Sequence, residues 1–119
     1  MIVGSILENQ NLEKRIAITP EIVKKYISLG FEISLIENYG LHLGIKDKEY
    51  LDLGAKILKD ENEILSNSDI IIQLGMLSDD KNSMIKENQN LIGIFNPYEN
   101  KTKIENLSKK KVNVFSLEM

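Results

Sequence analysis

Apolar residues follow two rhythms along this 119-residue chain. In the first, short runs, continuous or alternating, predict strands over Ile2 to Leu7, Phe31 to Ile36, Ala55 to Leu58, Asp69 to Leu74, Leu91 to Phe95 and Val112 to Leu117. The run Asp69-Ile70-Ile71-Ile72-Gln73-Leu74 is the strongest, being β-branched and bounded by polar residues. Such a run suits a central parallel strand buried on both faces. In the second rhythm, Ile22, Val23, Tyr26, Ile27 and Leu29 recur at helical spacing and predict a helix from Pro20 to Leu29. Thr19 stands where an N-cap hydroxyl accepts from an orphan helix N–H, Pro20 fits the first helical position, and Gly30 supplies the stop. Shorter helices are expected from Asp47, as a cap, through Leu53 to Gly54, over Glu61 to Ser66, and over Lys101 to Lys110 with Ile104 and Leu107 inward. Glu8 to Glu13 and Asn38 to Gly44 read as loops. Ser78 to Asn90, polar with sparse apolar positions, reads as a surface helix or loop.

Strands alternating with helices at spacings that fit right-handed crossovers predict an α/β domain. The expected architecture is an open, mostly parallel sheet flanked by helices, in a flavodoxin-like or Rossmann-like three-layer arrangement. The last strand has no helix after it to cover its face, so the domain reads as incomplete. Exposed apolar sheet surface, and with it self-association, is expected there.

Composition narrows the classes. A net charge of -3 with both signs interspersed gives no nucleic-acid footprint, and Lys109-Lys110-Lys111 reads as a solvated helix end. The absence of cysteine excludes disulfides and cysteine-ligated zinc. No apolar run approaches the roughly 18 residues that a membrane span needs, and the first residues lack the basic segment of a signal peptide.

Ligands of doubly wound sheets bind at the carboxyl ends of strands. Four polar residues follow predicted strand ends: Arg15, Gln73, Asn96 and Glu118. Arg15, the single arginine in a lysine-rich chain, either holds a carboxylate through its planar fork or pairs with Glu8 or Glu13. Gln73 and Asn96 are neutral groups that either line a crevice or satisfy loop backbone. Glu118 lies where a terminus frays. His42, the sole histidine, sits in a glycine loop and reads as a surface residue. No complete catalytic set, P-loop or GxGxxG fingerprint is present, so the chain alone is not expected to bind NAD in the Rossmann manner.

An ordered set of elements carries a family resemblance: Met1-Ile2-Val3-Gly4, Glu8, Lys14-Arg15-Ile16-Ala17-Ile18-Thr19-Pro20, Leu29-Gly30-Phe31-Glu32, Tyr39-Gly40, Leu53-Gly54-Ala55, Ser68 to Ile72, Asn96-Pro97-Tyr98 and Phe115 to Met119. It resembles the N-terminal domain shared by alanine dehydrogenase and the alpha subunit of the proton-pumping NAD(P) transhydrogenase. The RxAxTP element is its most specific part. The arginine, lysine and histidine that alanine dehydrogenases use on the keto acid fall on Arg15, Gln73 and Asn96. Two of the three are thus missing, which favours the transhydrogenase branch, although that branch usually keeps a lysine where Gln73 stands. The resemblance implies residues 1–119 to be an N-terminal domain truncated before the NAD-binding Rossmann domain. It would form one wall of the NAD cleft for hydride transfer from NADH to NADP, with NAD bound only in the presence of the missing domain and no metal. It further implies the remaining transhydrogenase domains or subunits as partners, a homodimer, a cytoplasmic location peripheral to the inner membrane through partner segments, and little activity for this chain alone. An alanine-dehydrogenase-like fragment and a non-catalytic scaffold or carboxylate-binding remnant are the alternatives.

Overall fold

A computed structural model describes residues 1–117. Six strands form one sheet: β1 (Ile2–Ser5), β2 (Glu32–Ile36), β3 (Lys56–Leu58), β4 (Ile70–Ile72), β5 (Asn90–Gly93) and β6 (Asn113–Ser116). Their spatial order is β3-β2-β1-β4-β5-β6, and every pairing is parallel. Val3 pairs with Ile33 on one side and Ile70 on the other, so β1 and β4 lie at the centre, as the isoleucine run predicts. The helices are α1 (Pro20–Ser28), α2 (Asp47–Asp52), α3 (Glu61–Asn67), α4 (Asp79–Asn82) and α5 (Lys101–Lys109). The expected α/β sheet flanked by helices is the observed fold, parallel throughout rather than mostly.

Local chemistry sets the element ends. The Thr19 hydroxyl accepts from the Ile22 N–H at 3.4 Å, and Gly30 turns the chain out of α1 at φ +96°. Asp47 is not the cap of α2. Its two carboxylate oxygens accept from the Asn38 N–H at 2.9 and 3.0 Å, bracing the residue that takes φ +62°, while Glu49 accepts from the Lys46 N–H at 2.8 Å. Ser78 to Asn90 is both of the expected alternatives: the single turn α4, then a loop. It is not wholly at the surface, because Ile85 is fully buried and the Gln89 amide donates inward to the Leu65 and Ser68 carbonyls at 2.7 and 2.6 Å.

The core is continuous across the sheet. Ile33, Leu35, Ile71, Leu91 and Phe95 are fully buried, and Tyr39 meets Tyr50 edge to face with ring centres 6.0 Å apart. Each such side chain removed from water contributes about 1.5–3 kcal/mol. α3 lies close enough to β1 that a Cβ on Gly4 would stand 2.0 Å from the Ser68 Oγ. At the β6 edge, Phe115 and Leu117 are 52% and 56% exposed, so the expected uncovered apolar surface is present.

Candidate functional site

The chain runs outward from β1 towards β2 and β3 on one side, and from β4 towards β5 and β6 on the other. The β1 and β4 carboxyl ends therefore diverge, leaving the crevice in which sheets of this order take ligands. Its floor is a buried polar network. Gln73 closes β4 and turns its carboxamide across to β1: Oε1 accepts from the Ile6 N–H at 2.8 Å and Nε2 donates to the Ile6 carbonyl at 3.1 Å. Those bonds take Ile6 out of the strand ladder, which is why β1 stops at Ser5 rather than at Leu7. The Ser5 hydroxyl donates to the Ile72 carbonyl at 2.6 Å and lies 3.1 Å from Gln73 Oε1. It accepts from the Tyr39 hydroxyl at 2.9 Å, because the Tyr39 oxygen already accepts from the Ala17 and Ile18 N–H groups at 3.2 and 3.1 Å. Tyr39 is buried, and burial pushes its hydroxyl up to about 12, so it acts as a neutral donor.

Glu8 completes the floor. Its Oε2 accepts from Gln73 Nε2 at 2.9 Å and from the Leu74 N–H at 2.8 Å, and its Oε1 accepts from the Gly75 N–H at 2.9 Å. Burial raises the carboxyl above its ordinary value, opposed by these bonds. Backbone N–H groups at such a turn would suit an incoming phosphate. Here the Leu74 and Gly75 amides are taken by the protein's own carboxylate. Two grooves flank Glu8. One, of about 380 Å³, has Leu7, Leu12, Met76 and Leu77 as its apolar walls, with Lys81 and Lys103 among its polar residues. The other, of about 350 Å³, runs towards Ile36, Glu37, Lys59 and Glu61 and shares Leu7, Glu8 and Lys81 with the first.

The residues anticipated from sequence are placed apart. Gln73 is fully buried in the floor and does not line either groove, so its chemistry is the satisfaction of main chain. Arg15 is exposed and forks onto Glu13, with Nε to Oε2 at 3.0 Å and Nη2 to Oε1 at 2.7 Å. These bonds pull the Glu13 carboxyl down to about 2. Asn96 is exposed and holds the turn into α5, its carbonyl accepting from the Asn100 N–H at 3.1 Å. Arg15 and Asn96 do not line either groove beside Glu8, so the anticipated convergence of these side chains on one crevice is not observed. Glu118 lies outside the described residues. His42 is exposed, as anticipated, and braces the first loop: Nε2 meets the Lys14 carbonyl at 2.8 Å and Nδ1 meets Gln10 Nε2 at 3.2 Å.

Ser5, Glu8, Tyr39, Lys81 and Lys103 are the residues that sequence reasoning passed over as site components. Ser5 and Glu8 carried a signal, a hydroxyl inside an apolar strand and an acid just beyond its end. The two lysines carried none, since they belong to different polar helices. Among the described residues, no group of three histidine or acidic side chains is placed to hold a metal, and no helix is long and apolar enough to cross a membrane.

Residues 4–119 match the family model described as alanine dehydrogenase/PNT, N-terminal domain. The chain is 33% identical to the first of the separately encoded pieces of the NAD(P) transhydrogenase alpha subunit of Rickettsia prowazekii, over 99% of this chain and 32% of that protein. It is 31% identical to the protein of the same name from Rhodospirillum rubrum, over 90% of this chain and 29% of that one. The crystal structure of transhydrogenase from Sinorhizobium meliloti superposes with a TM-score of 0.90 at 28% identity, over 98% of this chain and 34% of that chain. The chain thus spans about a third of the length of the relatives it matches. By the match across nearly its whole length, this chain belongs to the alanine dehydrogenase/PNT N-terminal domain family.

Proposed function

We propose that this chain forms one wall of the nucleotide cleft of an NAD(P) transhydrogenase alpha subunit, in which hydride passes from NADH to NADP. The observation that carries this reading is the crevice at the β1/β4 divergence, in a chain similar over 99% of its length to such a subunit. The side chains present suit a wall. Hydride transfer between two nicotinamide rings moves no proton to or from the protein, so it needs position and exclusion of water rather than an acid and a base. Gln73 is neutral and buried, Asn96 is neutral, and Arg15 is engaged by Glu13. Amination of a keto acid needs proton transfer that these residues do not supply, which weighs against the alanine-dehydrogenase-like reading.

The occupied Leu74 and Gly75 amides fit the same division of labour. Glu8 blocks the donors that a pyrophosphate would seek here, so the nucleotide's phosphates belong to a Rossmann domain elsewhere in the subunit. In that assembly the chain acts at the cytoplasmic face of the membrane, within a dimer, with other segments of the transhydrogenase as partners. Calorimetric titration of the full chain with NADH, alone and combined with the Rossmann domain of the same subunit, tests the reading.

A further inference from the structure

Three cationic side chains reach the grooves around Glu8, and two of them face the same apolar-walled space. Lys81 on α4 and Lys103 on α5 both line the groove of about 380 Å³, beside Leu7, Leu12, Met76 and Leu77. Each is lightly engaged. Lys103 Nζ donates to the Leu77 carbonyl at 3.3 Å, which leaves two of its three protons for another acceptor. Lys81 Nζ pairs with Glu61 at 3.2 Å, both half-exposed, a contact weak enough to be exchanged for a better anion. The remaining polar groups of the groove do not compete for them. Glu8 is held on the opposite wall by the Gln73, Leu74 and Gly75 donors, and Asn9 and Ser78 are neutral.

We propose that Lys81 and Lys103 form an oxyanion seat in this groove, for a carboxylate or a phosphate ester that carries a short apolar body against Leu12 and Met76. The seat rests on the cleft-wall reading and gives that wall a chemistry of its own. In this chain the cations that meet an anion come from α4 and α5, not from Arg15 or the positions of Gln73 and Asn96. Lys81 then exchanges partners on binding, leaving Glu61 for the ligand, and the ion pair bars the passage between the two grooves until it does so.

The test is a chemical-shift titration of the ¹⁵N-labelled full chain with inorganic phosphate and, separately, with propanoate, at ionic strength held constant with chloride. Saturable shifts at the Met76, Leu77 and Ser78 amides are expected, and whichever probe saturates at lower concentration distinguishes phosphate from carboxylate. The double variant Lys81→Gln/Lys103→Gln should weaken binding at least about tenfold, whereas Lys109→Gln, also on α5 but outside the groove, should not. Glu61→Gln removes the competitor of Lys81 and should tighten binding by up to about fivefold. A purely structural pair would show no such gain. Shifts that stay linear with both probes, or a double variant that binds like the parent, would overturn the seat. Loss of anion binding while NADH still binds in the presence of the Rossmann domain would refute the seat and leave the wall reading standing. Intact anion binding without any NADH binding would do the reverse.

Discussion

The carboxamide of Gln73 pairs with Ile6 at both of its main-chain groups, accepting from the N–H at 2.8 Å and donating to the carbonyl at 3.1 Å. One neutral side chain therefore extends the β1–β4 pairing by a residue beyond the strand ladder and supports Glu8 at the same time. Replacing Gln73 with leucine leaves the Ile6 groups buried without partners and removes one donor from Glu8. Urea unfolding should show a loss of about 3 kcal/mol. A loss below about 1 kcal/mol would mean that the pairing contributes little beyond shape.

Glu8 predicts a particular pH response. Its folded-state pKa is raised, so the protonated form is favoured by folding. The stability tied to that proton is present in full below the ordinary value of 4.5 and is lost as pH rises through the folded value. Glu13 has the opposite sign: its value falls to about 2, so its contribution is present above 4.5 and is lost as pH falls towards 2. Carbon-detected titration of the side-chain carboxyls should place Glu8 above 4.5 and Glu13 far below it. The reverse order would contradict the geometry of the floor.

Arg15 should tolerate substitution as far as folding is concerned. It is 66% exposed on its side chain and bonded to a neighbour two residues away. Arg15→Lys should leave the melting temperature within about 2 °C of the parent. A drop of several degrees would mean that the guanidinium braces the β1–α1 loop.

Gly93 should not accept a side chain. A Cβ there would stand 2.2 Å from the Gln73 carbonyl oxygen and 2.3 Å from the Phe95 ring. One obstacle is backbone and the other a fully buried ring, so neither moves freely. Gly93→Ala should destabilise by about 3 kcal/mol in urea unfolding.

The β6 edge predicts association. Phe115 and Leu117 are exposed on a strand whose outer hydrogen-bonding edge has no neighbour among the described residues. Sedimentation of the isolated chain should show concentration-dependent dimers or larger species, and Phe115→Lys should reduce them. A monodisperse monomer at all concentrations would show that the edge is protected.

Much of this architecture is legible in the sequence because local signals agree with the tertiary outcome. Thr19-Pro20 and Gly30 bound α1, and the Ile70–Ile72 run is a central strand because only burial on both faces suits it. The floor of the crevice is less legible. Gln73, Glu8, Ser5 and Tyr39 meet over separations of 34 to 68 residues, and nothing periodic marks such meetings. Asp47 misled for a related reason: an acid at a helix start suits a cap, but the long-range demand of the Asn38 N–H takes its carboxylate. Arg15 illustrates the limit of singularity as a clue, since being the one arginine says nothing of which carboxylate stands beside it.

Titration of the full chain with NADH, first alone and then together with the Rossmann domain of the same subunit, bears most directly on the proposed cleft. A wall predicts no measurable heat from the chain alone, and saturable binding to the combination tighter than to the Rossmann domain by itself. Binding to the combination no tighter than to the Rossmann domain alone would contradict it, and would leave a scaffold of this family that takes no part in holding the nucleotide.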